Sequence, residues 1–378
     1  MSQNRTKLKY QTYSRNYGID ALRIISMLMV VMLHVLKHGG IIRASESITY
    51  LIIWFLEVSA FCAVDCYALI SGYVGVYSQY KISNLATLWC RVSFYSITIT
   101  AIFKILFPNE ISNGSFFFSF FPIFSRQYWY FTSYALMFLF IPFINEGINR
   151  LSKRRLRVLL IAIITFTSFL KPFIDYFWGD IFVLNEGFSP WWLIILYMIG
   201  GYIRKYGVLQ KLQSNRTVVF LGAYLAFVII TWGSKILIPY SANLFGREII
   251  SDECLFNYQS ITILGSAVSL LLAFEHISFN ASIIKVVSMI SPFAFSVYII
   301  HDHTLIRQRL IADNFTWIAQ LPAYLIVPVI FGVVICIYFA CSLLDVARYW
   351  LFKIVRIKER SREIELKIIR KIKSREDE

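Results

Sequence analysis

Apolar residues run along this chain in blocks of about 20, the length an α-helix needs to cross a hydrocarbon core of about 30 Å. Short polar loops separate the blocks. Segments near 19–38, 49–76, 84–107, 128–146, 157–175, 190–205, 217–238, 257–275, 283–303 and 321–346 qualify. The pattern predicts an all-α polytopic membrane protein with about ten transmembrane helices. It divides the chain into a basic N-terminal segment (1–18), a transmembrane domain (19–346) and a basic tail (347–378). No internal repeat is evident. The tail, RIKERSREIELKIIRKIKSRE, reads as a charged helix near the inner leaflet. It would serve as an electrostatic anchor to anionic lipid or as a partner-binding segment.

Composition agrees with this reading. The chain is 58% hydrophobic and 16% charged, against about 25% charged in soluble domains. The first apolar run follows a basic leader. No small-residue cleavage signature comes after it, so a retained helix is expected rather than a signal peptide. A net charge of +15 would suit nucleic acid, but the basic residues cluster in alternate loops. Arg5, Lys7, Lys9 and Arg15 precede the first segment. Arg150, Lys153, Arg154, Arg155 and Arg157 join the fourth to the fifth. Arg204, Lys205, Lys211 and Arg216 join the sixth to the seventh. The positive-inside rule puts these loops and both termini in the cytoplasm. A multi-pass plasma-membrane protein is expected, with lipid and not nucleic acid around it. Cys62, Cys66, Cys90, Cys336 and Cys341 fall in apolar segments, and Cys254 stands alone in a loop. That is neither a disulfide framework nor a zinc spacing. No phosphate loop, dinucleotide fingerprint, HExxH or GxSxG occurs, which argues against an ATP-driven pump, a dinucleotide enzyme and a serine hydrolase.

The first segment carries Arg23 and His34, with ten residues between them. Eleven helical steps come to about 1100°, three turns plus about 20°, so both side chains share a face. They lie about 16 Å apart along the axis. Ionisable groups at membrane depth read as functional by default. His34 is a proton acceptor at neutral pH or a buried neutral imidazole satisfied by a neighbour. Arg23 snorkels to headgroups or serves as a fixed cation for a phosphate or a thioester carbonyl. Asp65, deep in the second segment, needs a partner. Either it or Asp20 could orient the imidazole or balance Arg23. Ser71 and Tyr73 offer hydroxyls around Gly72, although small residues here also suit helix packing. Glu57 is a weaker candidate.

Tyr128, Trp129 and Tyr130 form an interfacial belt or a stacking platform at the mouth of a site. His301, Asp302 and His303, with Arg307 and Arg309 beyond, line the outward opening or satisfy helix ends. Residues at i and i+2 do not face each other on a helix, so no metal is expected. Asp175, Asp180 and Glu186 beside Tyr176, Phe177 and Trp178 would suit sugar recognition, carboxylates for hydroxyls and flat rings for a pyranose, but the same composition describes an ordinary interfacial loop, the reading favoured.

Together these residues resemble the acyltransferase-3 family of integral membrane acyltransferases. Four segments carry the resemblance in order over nearly the whole chain. They are the Arg-x10-His of NYGIDALRIISMLMVVMLHV; VDCYALISGYV; YWYFTSYALMFLFIPFIN; and FSVYIIHDHTLIR with its Tyr-x-x-His. One departure is that Leu88-Trp89-Cys90-Arg91 matches the family's Arg-x-x-Arg only at Arg91. The chain also looks like a stand-alone member, without the extracytoplasmic hydrolase-like domain of some relatives.

The resemblance implies transfer of an acyl group, usually acetyl from acetyl-CoA, to a hydroxyl of a cell-surface or lipid-linked glycan. Acetyl-CoA would be a co-substrate, with no tightly bound cofactor. His34 would act as general base, with Asp65 as a catalytic partner. Arg23, Arg91, Ser71 and Tyr73 would contact the donor. Tyr128, Trp129, Tyr298 and His301 would face the acceptor. The rival readings are a glycolipid transporter or flippase, and a scaffold without chemistry. Exopolysaccharide, capsule, wall polymer and lipid-linked sugar are all compatible acceptors.

Overall fold

The computed structural model describes residues 15–125, 127–207, 216–245 and 253–376. Arg5, Lys7, Lys9 and Lys211, which helped set the expected orientation, lie outside these residues. Every regular element among the described residues is helical. Helix α1 spans Tyr17–Lys37, α2 Ser47–Phe61, α3 Ala63–Gly75, α4 Ile82–Leu106 and α5 Trp129–Arg150. Then follow α6 (Lys153–Ile164), α7 (Lys171–Trp178), α8 (Pro190–Tyr206), α9 (Arg216–Phe245) and α10 (Ile261–Glu275). The last four are α11 (Ala281–Ile290), α12 (Ala294–His301), α13 (Ala323–Val355) and α14 (Ile357–Glu376).

The ten apolar segments do not fold as ten equal spans. Seven helical stretches are long and apolar enough to cross a membrane, two of them made of consecutive helices, α2 with α3 and α11 with α12. The segment near 157–175 becomes α6 and α7, bent by 50° at a break. Pro172 explains the break, since it lacks an N–H and its ring crowds the preceding turn. The remaining two segments give α8, of 17 residues, and α10, of 15. At 1.5 Å per residue these are only about 26 and 23 Å long.

Helix α1 is the interior element. Of its most apolar window, 67% is buried, against 17% for the corresponding window of α9. Asn16 caps α1, its side chain accepting from the Ile19 N–H at 3.2 Å. The far end is pinned by a backbone hook, in which the Asp313 and Phe315 N–H groups donate to the His38 and Gly39 carbonyls at 3.0 and 3.1 Å. The hook needs Gly40, whose φ is +82° and whose added Cβ would lie 2.7 Å from Asp313 Oδ1.

Helices α3 and α8 meet backbone to backbone. A Cβ on Gly72 would come within 2.0 Å of the Tyr197 carbonyl oxygen, and one on Gly200 within 2.1 Å of that of Leu69. Small residues permit such approach between membrane helices. Gly200→Ala is expected to force the pair apart and to destabilise the protein by about 1–3 kcal/mol, measured as a lowered melting temperature in detergent.

Polar and basic side chains fasten one end of the bundle to backbone carbonyls. Lys205 donates to the Ile148 carbonyl at 2.6 Å, Lys153 to that of Tyr206 at 3.3 Å, and Asn16 to that of Glu275 at 3.0 Å. The tail helix α14 also docks here, on protein. Glu365 accepts from the Ile82 N–H at 2.9 Å and the Ser83 N–H at 3.4 Å. Those groups belong to the first turn of α4, where backbone donors have no helical partner.

Candidate active site

His34 and Arg23 border different cavities along α1. His34 lines a cavity of about 310 Å³, together with Met27 and Lys37 of α1, Tyr67 of α3 and Trp129 of α5. Arg23 borders two others, of about 450 and 210 Å³. The larger also contains Arg15, Asp20, Tyr73 and Arg204, and the smaller contains Ser71, Lys81 and Tyr134. A further cavity of about 390 Å³ again has Arg15 and Arg204 in its wall. A layer of tyrosines separates the two sides. Tyr67 and Tyr130 line the His34 cavity, and Tyr134 lines an Arg23 cavity. The Tyr130 and Tyr134 rings stack with centroids 6.1 Å apart. The Tyr67 hydroxyl donates to the Arg23 carbonyl at 3.0 Å.

The partners of His34 come from the far end of the sequence. Its Nδ1 lies 2.9 Å from His301 Nε2 and 3.7 Å from Asp302 Oδ1. His301 Nδ1 is 2.6 Å from the Val297 carbonyl oxygen, which can only accept, so that nitrogen carries the proton. In the neutral pair His301 Nε2 is then the acceptor and His34 Nδ1 the donor. This leaves the lone pair of His34 on Nε2, the nitrogen free for chemistry. Asp302 is held in turn by Arg307, whose Nη1 donates at 2.8 Å. A backbone carbonyl and a neighbouring imidazole thus fix the tautomer, as second-shell groups do in many active sites.

The other residues singled out in the sequence divide into those near the cavities and those elsewhere. Trp129 and Tyr298 line the His34 cavity. Ser71 and Tyr73 line the Arg23 cavities; Tyr73 donates to Glu275 at 3.0 Å and accepts from Arg204 at 2.7 Å. Asp20 balances Arg23, accepting from its Nη1 at 2.7 Å and from Arg15 Nε at 2.5 Å.

Four placements differ from expectation. Asp65 does not reach His34; it is fully buried and accepts from Trp192 Nε1 at 3.0 Å, because α3 turns it toward α8. Tyr128 is no mouth residue. It is fully buried, and its hydroxyl donates to the Ile299 carbonyl at 2.9 Å, bracing α12. His301 stands behind His34, buried, rather than at an opening. Arg91 faces α13, near Asp345, Arg348 and Tyr95, and lines none of these cavities. There Asp345 forms a fully buried bidentate pair with Arg348, at 2.8 and 2.6 Å, and accepts from the Tyr95 hydroxyl at 2.6 Å. His303 ends a turn: its Nδ1 accepts from the Leu305 N–H at 3.2 Å.

A half-buried, tautomer-fixed imidazole thus lines one cavity and an arginine the next, on a single interior membrane helix. Residues 16–341 match the acyltransferase-3 family, described as an acyltransferase domain. The chain belongs to that family and is a multi-pass membrane acyltransferase. Searches of curated proteins and of solved structures return no match.

Proposed function

We propose that the chain transfers an acyl group, acetyl from cytoplasmic acetyl-CoA, to a hydroxyl of a cell-surface or lipid-linked glycan, with His34 as general base. The observation that carries this reading is that α1 supplies His34 to one cavity and Arg23 to the facing pair, with a tyrosine layer between. The basic end, by the positive-inside rule, faces the cytoplasm with both termini. Arg15, Arg23, Arg204 and Lys81 there suit the phosphates of the donor nucleotide. The acyl-bearing arm then runs along α1 toward His34. The acceptor oxygen attacks the thioester carbonyl while its proton passes to His34 Nε2. The new C–O bond forms, the C–S bond breaks, and the thiolate takes up a proton to leave as free thiol. Thioester and alcohol thus become ester and thiol. No observation supports the transporter alternative.

The test is the protein in proteoliposomes with isotope-labelled acetyl-CoA and surface polysaccharide from the host, read by the acetyl methyl signals in NMR. An acceptor that gains no label would sink the reading. In the same assay Arg23→Ala is expected to raise the KM for acetyl-CoA about 10-fold or more, since a charged hydrogen bond contributes about 1.5–3 kcal/mol. Asp20 keeps Arg15 as its partner in this variant, so a bare carboxylate is not left behind.

A further inference from the structure

The tail helix α14 changes character at Glu365. Up to that residue its charges are mixed, with Lys358, Arg360 and Arg362 among Glu359, Glu363 and Glu365. Glu365 is 7% exposed and holds the first turn of α4, and Arg362 donates to its Oε2 at 2.6 Å. Residues 366–375 carry basic side chains at 367, 370, 371, 373 and 375 and no acid. Every residue from Leu366 to Ile372 is exposed, including Ile368 at 54%, Ile369 at 41% and Ile372 at 53%.

The two halves share a face. Ser361, Arg362 and Glu365 are shielded in the first half and mark the side turned toward α4. Ile368, Ile369 and Ile372 follow them at seven-residue spacing, two helical turns on, and so continue the same stripe. Lys367, Arg370 and Lys371 fall on the opposite side. The direction of the stripe is fixed by what Glu365 binds. Unpaired N–H groups in the first turn of a helix point out of its end, along the axis. A carboxylate that accepts from those of α4, a membrane-spanning helix, therefore points back along that axis toward the bilayer. Arg356, in left-handed backbone at φ +57°, ends α13 and lets α14 set off in a new direction.

We infer that α14 from Leu366 onward is an amphipathic surface helix that beds Ile368, Ile369 and Ile372 in a leaflet of acidic phospholipid. The positive-inside rule makes this the cytoplasmic leaflet. The isoleucines enter the boundary between headgroups and acyl chains, and the basic residues draw the helix to anionic headgroups. The division of labour is sharp: Glu365 clips the helix to protein and aims the stripe, and the half beyond it binds lipid. A bilayer is the partner that fits, because the stripe faces along the axis of a membrane span and the opposite side is basic. The inference does not depend on the acyl-transfer reading.

The experiment compares hydrogen–deuterium exchange of the full chain in nanodiscs of phosphatidylcholine and of phosphatidylcholine mixed with phosphatidylglycerol. Amides of residues 366–375 are expected to exchange about 10-fold more slowly in the acidic discs, because each basic residue near the surface adds attraction to anionic lipid. High salt is expected to reverse most of that slowing. Amides of residues 357–365, held by the Glu365 clip, serve as the internal reference and exchange alike in both lipids. Two variants separate the apolar and the charged contributions: Ile368→Gln with Ile372→Gln, and Lys367→Gln with Arg370→Gln and Lys371→Gln. Each is expected to abolish the difference between the lipids, and unchanged exchange in α4 shows that each is folded. Equal exchange in the two lipids, or a difference that either variant leaves intact, overturns the inference. So does equal protection in lipid-free detergent, which would mean that the segment packs on protein, its own chain or a second copy.

Discussion

Alanine in place of His34 is expected to lower acyl transfer by about 10²–10⁴-fold, the usual contribution of a general base. On the proposed reading the loss should fall on kcat, because there the imidazole acts on a proton in flight and not on the bound donor. His34 is suited to this step because its tautomer is set from behind. The Val297 carbonyl takes the Nδ1 proton of His301, and His301 Nε2 takes that of His34. The free nitrogen of His34 therefore carries a lone pair and needs no rearrangement before it accepts a proton. The assay is labelled-acetate transfer by protein recovered from the membrane with an unchanged melting profile. A His34→Ala protein that passes both checks and transfers at the native rate would remove the base from the mechanism.

The second large effect is on stability, far from the cavities. Asp345 is fully buried between α13 and α4, paired with Arg348 and receiving the Tyr95 hydroxyl, with Arg91 nearby. Asp345→Ala leaves two guanidinium groups close together without their counter-charge. Breaking one partner out of a buried pair costs about 3–5 kcal/mol, and the melting temperature in detergent should fall accordingly. Removing the cation as well, as Asp345→Leu with Arg348→Met, is expected to recover part of the loss, since a buried pair contributes little beyond an apolar replacement. A double variant less stable than Asp345→Ala would show that the pair does more than satisfy itself.

Much of the architecture was legible in the sequence because apolar blocks and loop charge are local properties. The period and spacing of α1 were enough to place Arg23 and His34 on one helix at different depths. Their partners were not legible, since a partner depends on how neighbouring helices are rotated. His301 lies 267 positions from His34. Asp65 looked available because its own segment is apolar; only the close, glycine-lined contact of α3 with α8 delivers Trp192 to it. Arg91 looked like a donor contact until α13, 250 positions beyond Tyr95, brought Asp345 alongside. Glu57 drew little weight, because a lone carboxylate in an apolar segment says nothing of whether a partner awaits it. The tail's docking on the first turn of α4 was likewise hidden, since its charge pattern fits a lipid surface equally well.

Helix α1 also fixes a length. From Arg23 to His34 it rises about 16 Å, and a hydrogen-bonded helix pinned at both ends does not stretch. On the proposed reading a carrier must rest its anionic end at one point and hold its reacting carbon at the other. An acyl phosphate, with the phosphate bonded directly to the carbonyl, cannot bridge that gap. Activated donors are then sorted by their reach, before the strength of the acyl bond matters at all.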